Sequence, residues 1–410
     1  MVKYIKIALR NIRRHKRRTI LIVIMITTAV AVTIFLEGIL EDMRQGWLKA
    51  IIHTQTGHIQ IMHKGYLEKE LMAPLDMLIS HPKKIEKFLE KQESILAMTK
   101  RLNFGGMIAT PEKTAIFSGI AVDPVNEYEV FCLLDVDKGE KLSPYKENGC
   151  VIGVGLAKNL AIEVGDVVTL ISNTIEGTLN AVDVEIVGIF KSGQPQVDNM
   201  LLYVTFPTAY NLLNIVGDKV SNIILVLKSI NLAPKFASIL RSFIKDRYIG
   251  EELDVHLWSD LATLYRKVMG MNKFTTSIIE LIMFFLITLG ICNTMLMAVF
   301  ERTKEIGTMT AFGIRKGEIV GLFLCESLII GIFGGLLGSI LGAGITQVIQ
   351  FIGIPFVPPG TDKLVYIRPI VCLDKIVLAF ILATITPIIG GLYPAFWASK
   401  IKPVEALRFV

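Results

Sequence analysis

Three histidines follow the first long apolar run and are of a type that could bind a metal ion: His53, His58 and His63. Imidazoles bind zinc or a related metal when they meet at one point. Residues 57–62 alternate in the manner of a β-strand, and successive side chains of a strand point to opposite faces. His58 and His63 are an odd number of positions apart and would face opposite sides. We therefore predict no metal site.

The sequence contains neither the GxSxG motif of a hydrolase nor a phosphate-binding loop. Ser118 and Ser192 each precede a glycine, but neither lies in a GxSxG sequence, and no histidine and acid accompany them. The chain has no Gly-Lys dipeptide, so it lacks the GxxxxGK[ST] loop that binds nucleotide phosphates. We predict a chain that is not an enzyme and carries no cofactor. Any ATP and magnesium that drive it would be bound by another polypeptide.

Charged residues are arranged most regularly at 301–316, which reads ERTKEIGTMTAFGIRK. Its charges cluster in the first turn, Gly307 and Ala311 leave room for a partner's backbone, and Gly313 is placed to end a helix. The pattern predicts a short helix that docks on a partner. From these residues alone, a solvated connector is an equally good interpretation.

Glu280 and Glu326 are ionisable groups inside apolar runs, where an unpaired charge is costly and is often functional. Both lie close to the end of a run. Pairing with basic groups at the membrane surface, or extension toward water, is the interpretation that we favour over a proton relay.

Four apolar runs must position these residues, at 19–40, 275–300, 319–352 and 375–397. Each has the length of about 20 residues that a transmembrane helix requires. The chain of 410 residues is 52% hydrophobic with a mean hydropathy of +0.54, which fits a membrane part joined to a folded aqueous part. The first run is longer than the apolar core of a signal peptide, so we predict that it remains as an anchor.

Basic residues indicate the orientation of the four runs. No acid precedes the first run, but eight basic residues do: Lys3, Lys6, Arg10, Arg13, Arg14, Lys16, Arg17 and Arg18. The segment 301–318 and the tail are basic too. Because basic loops stay on the cytoplasmic side, both termini should be cytoplasmic. The net charge of +6 is then an attraction to anionic lipid, not to nucleic acid.

The predicted organisation follows from these runs. Residues 1–18 form an amphipathic elbow helix on the cytoplasmic surface, with Ile5, Ala8, Leu9 and Ile12 on one face, although a disordered basic tail is the alternative. An extracytoplasmic domain occupies 41–272 and a short extracytoplasmic loop 353–374. The segment 301–318 is cytoplasmic between the second and third spans, and 398–410 is a cytoplasmic tail.

The segment 41–272 alternates between strand and helix patterns and is long enough for two lobes. We predict an α+β domain in which the two ends form an α/β lobe and a β-rich lobe is inserted near 125–215. The strands are expected at 57–62, 115–122, 167–172, 182–190, 200–204 and 222–227, and the helices at 81–91, 207–213, 232–248 and 258–271.

Glycines in the third apolar run recur every four residues, in two series: Gly331 and Gly335, and Gly334, Gly338 and Gly342. Such spacing lets another helix approach closely in lipid. We predict a packing seam within one subunit or between two, in preference to glycines that serve flexibility alone.

Several of these segments resemble a known superfamily. The run 301–319 (ERTKEIGTMTAFGIRKGEI), with LFLCES at 322–327 and the glycines of 331–342, resembles the link between the second and third spans of ABC transporter permeases of the MacB, LolC/LolE and FtsX superfamily. The ending at 393–408 and the entry at 8–19 are similar to the same permeases. Residues 56–61, 188–190 and Asp198 resemble the lipoprotein-releasing LolC/LolE branch.

This resemblance implies a permease of the inner membrane with a MacB-like periplasmic core, working as two copies or two related subunits. Each would dock a cytoplasmic ABC ATPase through the helix at 301–313. The implied contacts are Glu301, Arg302, Lys304, Glu305, Gly307, Ala311 and Gly313, with lesser roles for Glu405 and Arg408.

The resemblance also implies the output. ATP-driven movement would expel an amphiphilic cargo, most simply a lipoprotein that enters from the membrane and leaves with a periplasmic chaperone or adaptor. One alternative is MacB-type efflux of drugs, peptides or toxins. Another is FtsX-like signalling to a cell-wall hydrolase, against which the size of the external domain argues.

Overall fold

The computed structural model describes residues 2–14, 16–131, 136–247, 252–357, 364–403 and 406. The helices are α1 (Val2–Arg14), α2 (Lys16–Ile51), α3 (Tyr66–Lys69), α4 (Pro82–Leu89), α5 (Pro124–Val130), α6 (Val154–Leu160), α7 (Pro195–Asp198), α8 (Phe206–Leu213), α9 (Ala233–Arg247), α10 (Trp258–Leu261), α11 (Thr263–Glu301), α12 (Thr303–Ala311), α13 (Lys316–Ile352) and α14 (Leu373–Ser399). The strands are β1 (Ile59–His63), β2 (Ile95–Ala109), β3 (Thr114–Val122), β4 (Val136–Gly139), β5 (Gly149–Gly153), β6 (Val167–Asn173), β7 (Leu179–Phe190), β8 (Leu201–Thr205), β9 (Asn222–Leu227), β10 (Leu253–Leu257), β11 (Ile354–Phe356) and β12 (Val365–Ile367).

The chain divides into two compact units. The first, which we call the helical unit, comprises Met1–Gln45, Val268–Phe356 and Val365–Val410. The second, the sheet unit, comprises Gly46–Lys267 and Val357–Leu364.

Four helices in the described part of the chain are long and apolar enough to cross a membrane, as predicted: Lys16–Thr56, Tyr265–Glu301, Lys316–Ile352 and Leu373–Ser399. Their buried side chains form one core in the helical unit, with contributions from Ile26 of α2, Met295 of α11, Phe323 of α13 and Ala383 of α14. The first two helices extend beyond the predicted apolar runs, because membrane thickness limits the apolar stretch and not the helix. The helix predicted at 258–271 consequently divides between α10 and the beginning of α11.

The basic N-terminal segment is helical, so the alternative of a disordered tail is wrong. In α1, Ala8 is buried and Ile12 packs against the core of the helical unit, whereas Ile7 is exposed. This two-sided pattern is typical of a helix that lies along a surface. Its place at the membrane surface stays a prediction.

In the sheet unit, one part of the sheet is open. The strands run in the order β10, β1, β9 and β2, and each neighbouring pair is antiparallel. The helices α4 and α9 supply Ile85, Leu89, Phe236 and Leu240 to a core with Ile61 and its neighbours in these strands. This is the α/β part of the unit.

The other part of the sheet closes on itself. The strand pairs β2–β3, β3–β8, β8–β5, β5–β7, β7–β6 and β6–β2 form a ring. Because inward side chains of a small barrel fill its interior, the ring encloses a core. Phe104, Phe117, Ile152, Leu170 and Leu202 belong to that core.

The predicted division into two lobes is not confirmed. Residues 95–101 of β2 pair with β9, and residues 101–109 pair with β3, so one strand belongs to both parts of the sheet. The predicted strands are present, most of them with shifted ends, but β2, β4, β5, β10, β11 and β12 were missed. The charged pair Lys100–Arg101 and the pair Gly105–Gly106 interrupt the apolar alternation of β2, which hides it from pattern reading.

Candidate functional site

The short helix α12 lies in the helical unit between α11 and α13 and has nine residues. Arg302 precedes its first turn and Phe312 follows its last. Gly313 then adopts φ +85°, a left-handed conformation that glycine takes without strain, and the chain turns toward α13. The sequence prediction of a helix that ends at Gly313 is therefore confirmed.

One side of α12 is open. Lys304, Thr308 and Ala311 are exposed and spaced four and three residues apart, so they lie along one stripe of the helix. Phe312 continues that stripe with 85% of its surface exposed. Glu301 precedes the stripe and is exposed too.

The opposite side of α12 is covered by the chain itself. Ile306 and Gly307 are buried, and the methyl group of Ala406 fills the space where a side chain at Gly307 would lie. Among the predicted contact residues, Gly307 thus packs internally. Glu405 and Arg408 lie outside the described residues.

Arg302 is also internal, with 5% of its surface exposed. Its Nη1 lies 3.1 Å from Oε2 of Glu326 in α13, and Arg18 in α2 reaches the other oxygen of that carboxylate at 3.4 Å. The sequence interpretation of Glu326 as a group that pairs with basic residues agrees with these contacts.

Two acidic side chains at or just before the beginning of α12 face basic residues near the N-terminus. Glu305 lies 2.7 Å from Arg14, and Glu301 lies 3.8 Å from Arg18. Arg14 and Glu305 are both substantially exposed, so water competes for their charges. These side chains remain accessible at the surface of the helical unit.

Sequence reasoning missed Phe312 and Thr308. A large apolar side chain directly before a helix-ending glycine was a signal for Phe312, since such a residue has little room to bury itself. Thr308 could have been found from its spacing of four residues from Lys304.

The glycines of α13 pack against helices of the same chain. Side chains at Gly334, Gly338 and Gly342 would collide with Ile26, Val30 and Ala31 of α2, while Gly331 and Gly335 face α14. Close approach of this kind is what small residues permit in a membrane bundle. The seam that the sequence predicted within or between subunits is therefore filled within one subunit.

Two neighbouring cavities lie beside α2 and α11. The larger has a volume of about 310 Å³, and the smaller, of about 60 Å³, also touches α14. The smaller is lined mainly by apolar side chains and the larger by equal numbers of apolar and polar ones, and both include Thr33, Glu280 and Met283. Glu37 lines the larger cavity and is paired with Lys375 at 2.8 Å. A space lined by both apolar and charged side chains suits an amphiphilic molecule.

The histidines contribute to structure. The Nδ1 atom of His58 accepts a hydrogen bond from the Leu227 N–H at 3.0 Å, and the ring is buried. Nδ1 of His63 lies 3.0 Å from the carbonyl oxygen of Lys64. Among the described residues, no group of three or more histidine, cysteine or acidic side chains is placed to hold a metal ion.

Two protein families match this chain. The FtsX-like permease C-terminal family matches residues 277–403, which include α12 and most of α11. The MacB-like periplasmic core domain family matches residues 19–242, more than half of the chain.

Individual relatives agree with the families. An uncharacterised ABC transporter permease of Methanocaldococcus jannaschii is 27% identical over 67% of this chain and 65% of its own length. The macrolide export ATP-binding/permease protein MacB of Psychrobacter arcticus is 23% identical over 99% of this chain and 59% of its own length. The chain thus spans less than two thirds of these relatives.

Among solved structures, the periplasmic region of MacB from Actinobacillus actinomycetemcomitans is 14% identical, with a TM-score of 0.38, over 54% of this chain and 98% of that chain. The family matches cover both the membrane helices and the sheet unit. The chain belongs to the MacB/FtsX-like superfamily of ABC transporter permeases.

Proposed function

We propose that this chain is the membrane-crossing part of an ATP-driven transporter and that an ABC ATPase docks on the exposed stripe of α12. Both termini and α12 would be cytoplasmic, and the sheet unit would lie outside the cell membrane. The observation that carries the proposal is the two-sided character of α12: one side is fixed inside the helical unit and the other is open.

The exposed stripe has the composition of a docking surface. An exposed aromatic side chain beside charged groups is the usual centre of a protein interface. Phe312 would enter an apolar pocket of the ATPase, while Lys304 and Glu301 would face its charged rim.

The other residues take one of two proposed roles. Glu305 and Ala311 would belong to the docking surface, which would end at Gly313. Arg302 and Gly307 would act from inside, by holding α12 in place. For Glu405 and Arg408, contact with the ATPase remains a proposal from the family resemblance.

The docking proposal is tested with two variants of the tagged full-length chain, Phe312→Ala and Lys304→Glu, purified from membranes of the native organism. Recovery of the ABC ATPase, quantified by mass spectrometry, should fall by about tenfold for each variant, equivalent to roughly 1.4 kcal/mol. Lys87→Glu is the matched control, because Lys87 is an exposed lysine on a helix of the sheet unit. Equal recovery with all three variants would refute docking on α12.

The lining of the cavities favours an amphiphilic cargo that enters from the membrane. Their apolar lining would take a hydrocarbon part, and the groups around Glu37 and Lys375 would take a polar head. Membrane lipids would surround the helices, and a second copy or a related permease would complete the transporter. A lipoprotein with a periplasmic chaperone or adaptor remains one cargo of this class.

Efflux is a second candidate, favoured because several relatives carry the name macrolide export protein. Expression of the chain with its ATPase in a macrolide-sensitive host should reduce erythromycin accumulation severalfold. Met283→Trp, which fills both cavities, should abolish the reduction, whereas the exposed neighbour Leu281→Trp should not. No reduction with the wild type would exclude macrolide efflux and leave lipoprotein release or FtsX-like signalling.

A further inference from the structure

A single buried carboxylate connects three segments of the helical unit. Glu326 lies about three turns into α13 and has 1% of its surface exposed. Arg302, which precedes α12, reaches Oε2 at 3.1 Å, and Arg18, in the first turn of α2, reaches Oε1 at 3.4 Å. The three residues are far apart in the sequence, so only the folded bundle brings them together.

The burial of these charges makes their contacts hard to break. Removal of one partner from a buried ion pair is strongly destabilising, because the other charge is left without compensation. Glu301, at 3.8 Å from Arg18, supplies a second negative charge for the two guanidinium groups. A displacement of α12 alone would separate Arg302 from Glu326 and leave buried charges without compensation.

The other tie between α12 and the N-terminal region is weaker. Arg14 and Glu305 are both exposed to water at their contact, and exposed pairs contribute little to stability. The buried cluster is therefore the stronger of these two ionic contacts.

We propose that Glu326 is a positioning residue that holds the beginning of α12 against α2 and α13, so that a displacement of α12 moves both spans together. The displacing force comes from the ATPase of the proposed function, and in that respect the inference rests on it. The position of α12 relative to α2 and α13 depends on this chain alone, so it can be measured without nucleotide or the ATPase.

The test is a distance measurement by pulsed electron paramagnetic resonance on the full chain in lipid nanodiscs. The five native cysteines are replaced by alanine, and spin labels are placed at the exposed positions Leu21 of α2 and Phe312 after α12. Glu326→Gln should widen the distance distribution by about twofold, because α12 is released to several positions. Glu326→Asp, which keeps the charge, should restore a narrow distribution.

A second label pair, at Phe333 of α13 and Leu378 of α14, reports on the bundle away from the cluster. Its distribution should stay unchanged in Glu326→Gln. Unchanged widths at both pairs, or widening at both, would overturn the inference. If Glu326→Gln does not accumulate in membranes, Arg302→Gln replaces it with the same expectation. Unchanged ATPase recovery in the docking experiment, which would refute docking, leaves this measurement unaffected, so the two proposals fail separately.

Discussion

The pKa of an ionisable side chain that is buried in the sheet unit depends strongly on its surroundings. His58 has such a side chain. Burial and, to a smaller extent, the nearby His53 lower the pKa of its imidazole to about 4. Nδ1 already accepts the Leu227 N–H, so protonation there would break a hydrogen bond within the sheet.

His58 makes the stability of the chain depend on pH. An unfolded histidine has a pKa near 6.5, so between pH 6.5 and 4 the unfolded state gains a proton that the folded state does not. The free energy of unfolding should therefore decrease by roughly 1–3 kcal/mol as the pH is lowered through this window. His58→Asn keeps an acceptor without titrating, and its thermal midpoint in detergent should fall less from pH 7 to 4.5 than that of the wild type. Parallel pH dependence of the two proteins would contradict this.

Arg101 and Glu127 form a buried ion pair that fixes α5 to β2. Oε1 of Glu127 accepts from Nε of Arg101 at 2.9 Å, Oε2 accepts from the Thr99 hydroxyl at 2.9 Å, and the guanidinium lies 3.9 Å from the ring centre of Phe131. Glu127→Gln should destabilise the chain by roughly 3–5 kcal/mol, since it leaves the Arg101 charge buried.

Thermal unfolding in detergent measures this change. Glu185→Gln is the control, because the contact of Glu185 with Lys146 at 2.6 Å is partly exposed and should contribute at most about 1 kcal/mol. Similar losses for the two variants would mean that burial does not govern the strength of the pair at Glu127.

At this scale the sequence identified the groups but not their partners. Glu326 was recognised as an acid in an apolar run, yet Arg18 and Arg302 are 308 and 24 residues away from it. Arg302 was expected at the surface because charged residues usually lie there. The packing of three helices buries Arg302 instead, and a linear sequence pattern carries no information on that packing.

The helices of the membrane bundle are held by close packing, and α13 is the element with most such contacts to its neighbours. A Cβ at Gly338 would lie 2.6 Å from Cβ of Val30 and 2.9 Å from the carbonyl oxygen of Thr27. Since backbone must move to relieve this, Gly338→Ala should destabilise the bundle by about 1–3 kcal/mol.

Gly344 provides the matched control for Gly338. It lies in the same helix with no atom within 4 Å of an added Cβ. Both substitutions raise helix propensity by about 1 kcal/mol, so Gly344→Ala should be neutral or stabilising in a thermal assay in detergent. A loss at Gly344 as large as that at Gly338 would show that packing on α2 is not the cause.

Element positions were predictable where the signal is local. Hydropathy predicted the four apolar helices and alternation predicted half of the strands, but helix ends were misplaced where α2 and α11 continue past the apolar runs. Glycine spacing predicted a seam, although it could not distinguish contacts within a subunit from contacts between subunits. That distinction depends on which helices are neighbours.

Closure of the β-ring is a property of the whole molecule. It requires β2 to meet β6, about sixty residues later, through Met107, Ile108 and Ala109. No turn or local pattern marks that pairing, so sequence reading gave only a β-rich region near 125–215. The ring in fact also takes β2 and β3 from before that region.

Orientation in the membrane is the last property at this scale, and the basic residues before α2 decide it in our proposal. Since they should stay on the cytoplasmic side, the four spans place α12 in the cytoplasm and the sheet unit outside. In a cysteine-free chain, Leu71→Cys should react with an impermeant maleimide in intact cells, because Leu71 is fully exposed in the sheet unit. Phe312→Cys should react only after the membrane is permeabilised. Labelling of Phe312→Cys in intact cells would place α12 away from the ATP pool and would remove the basis for docking an ATPase there.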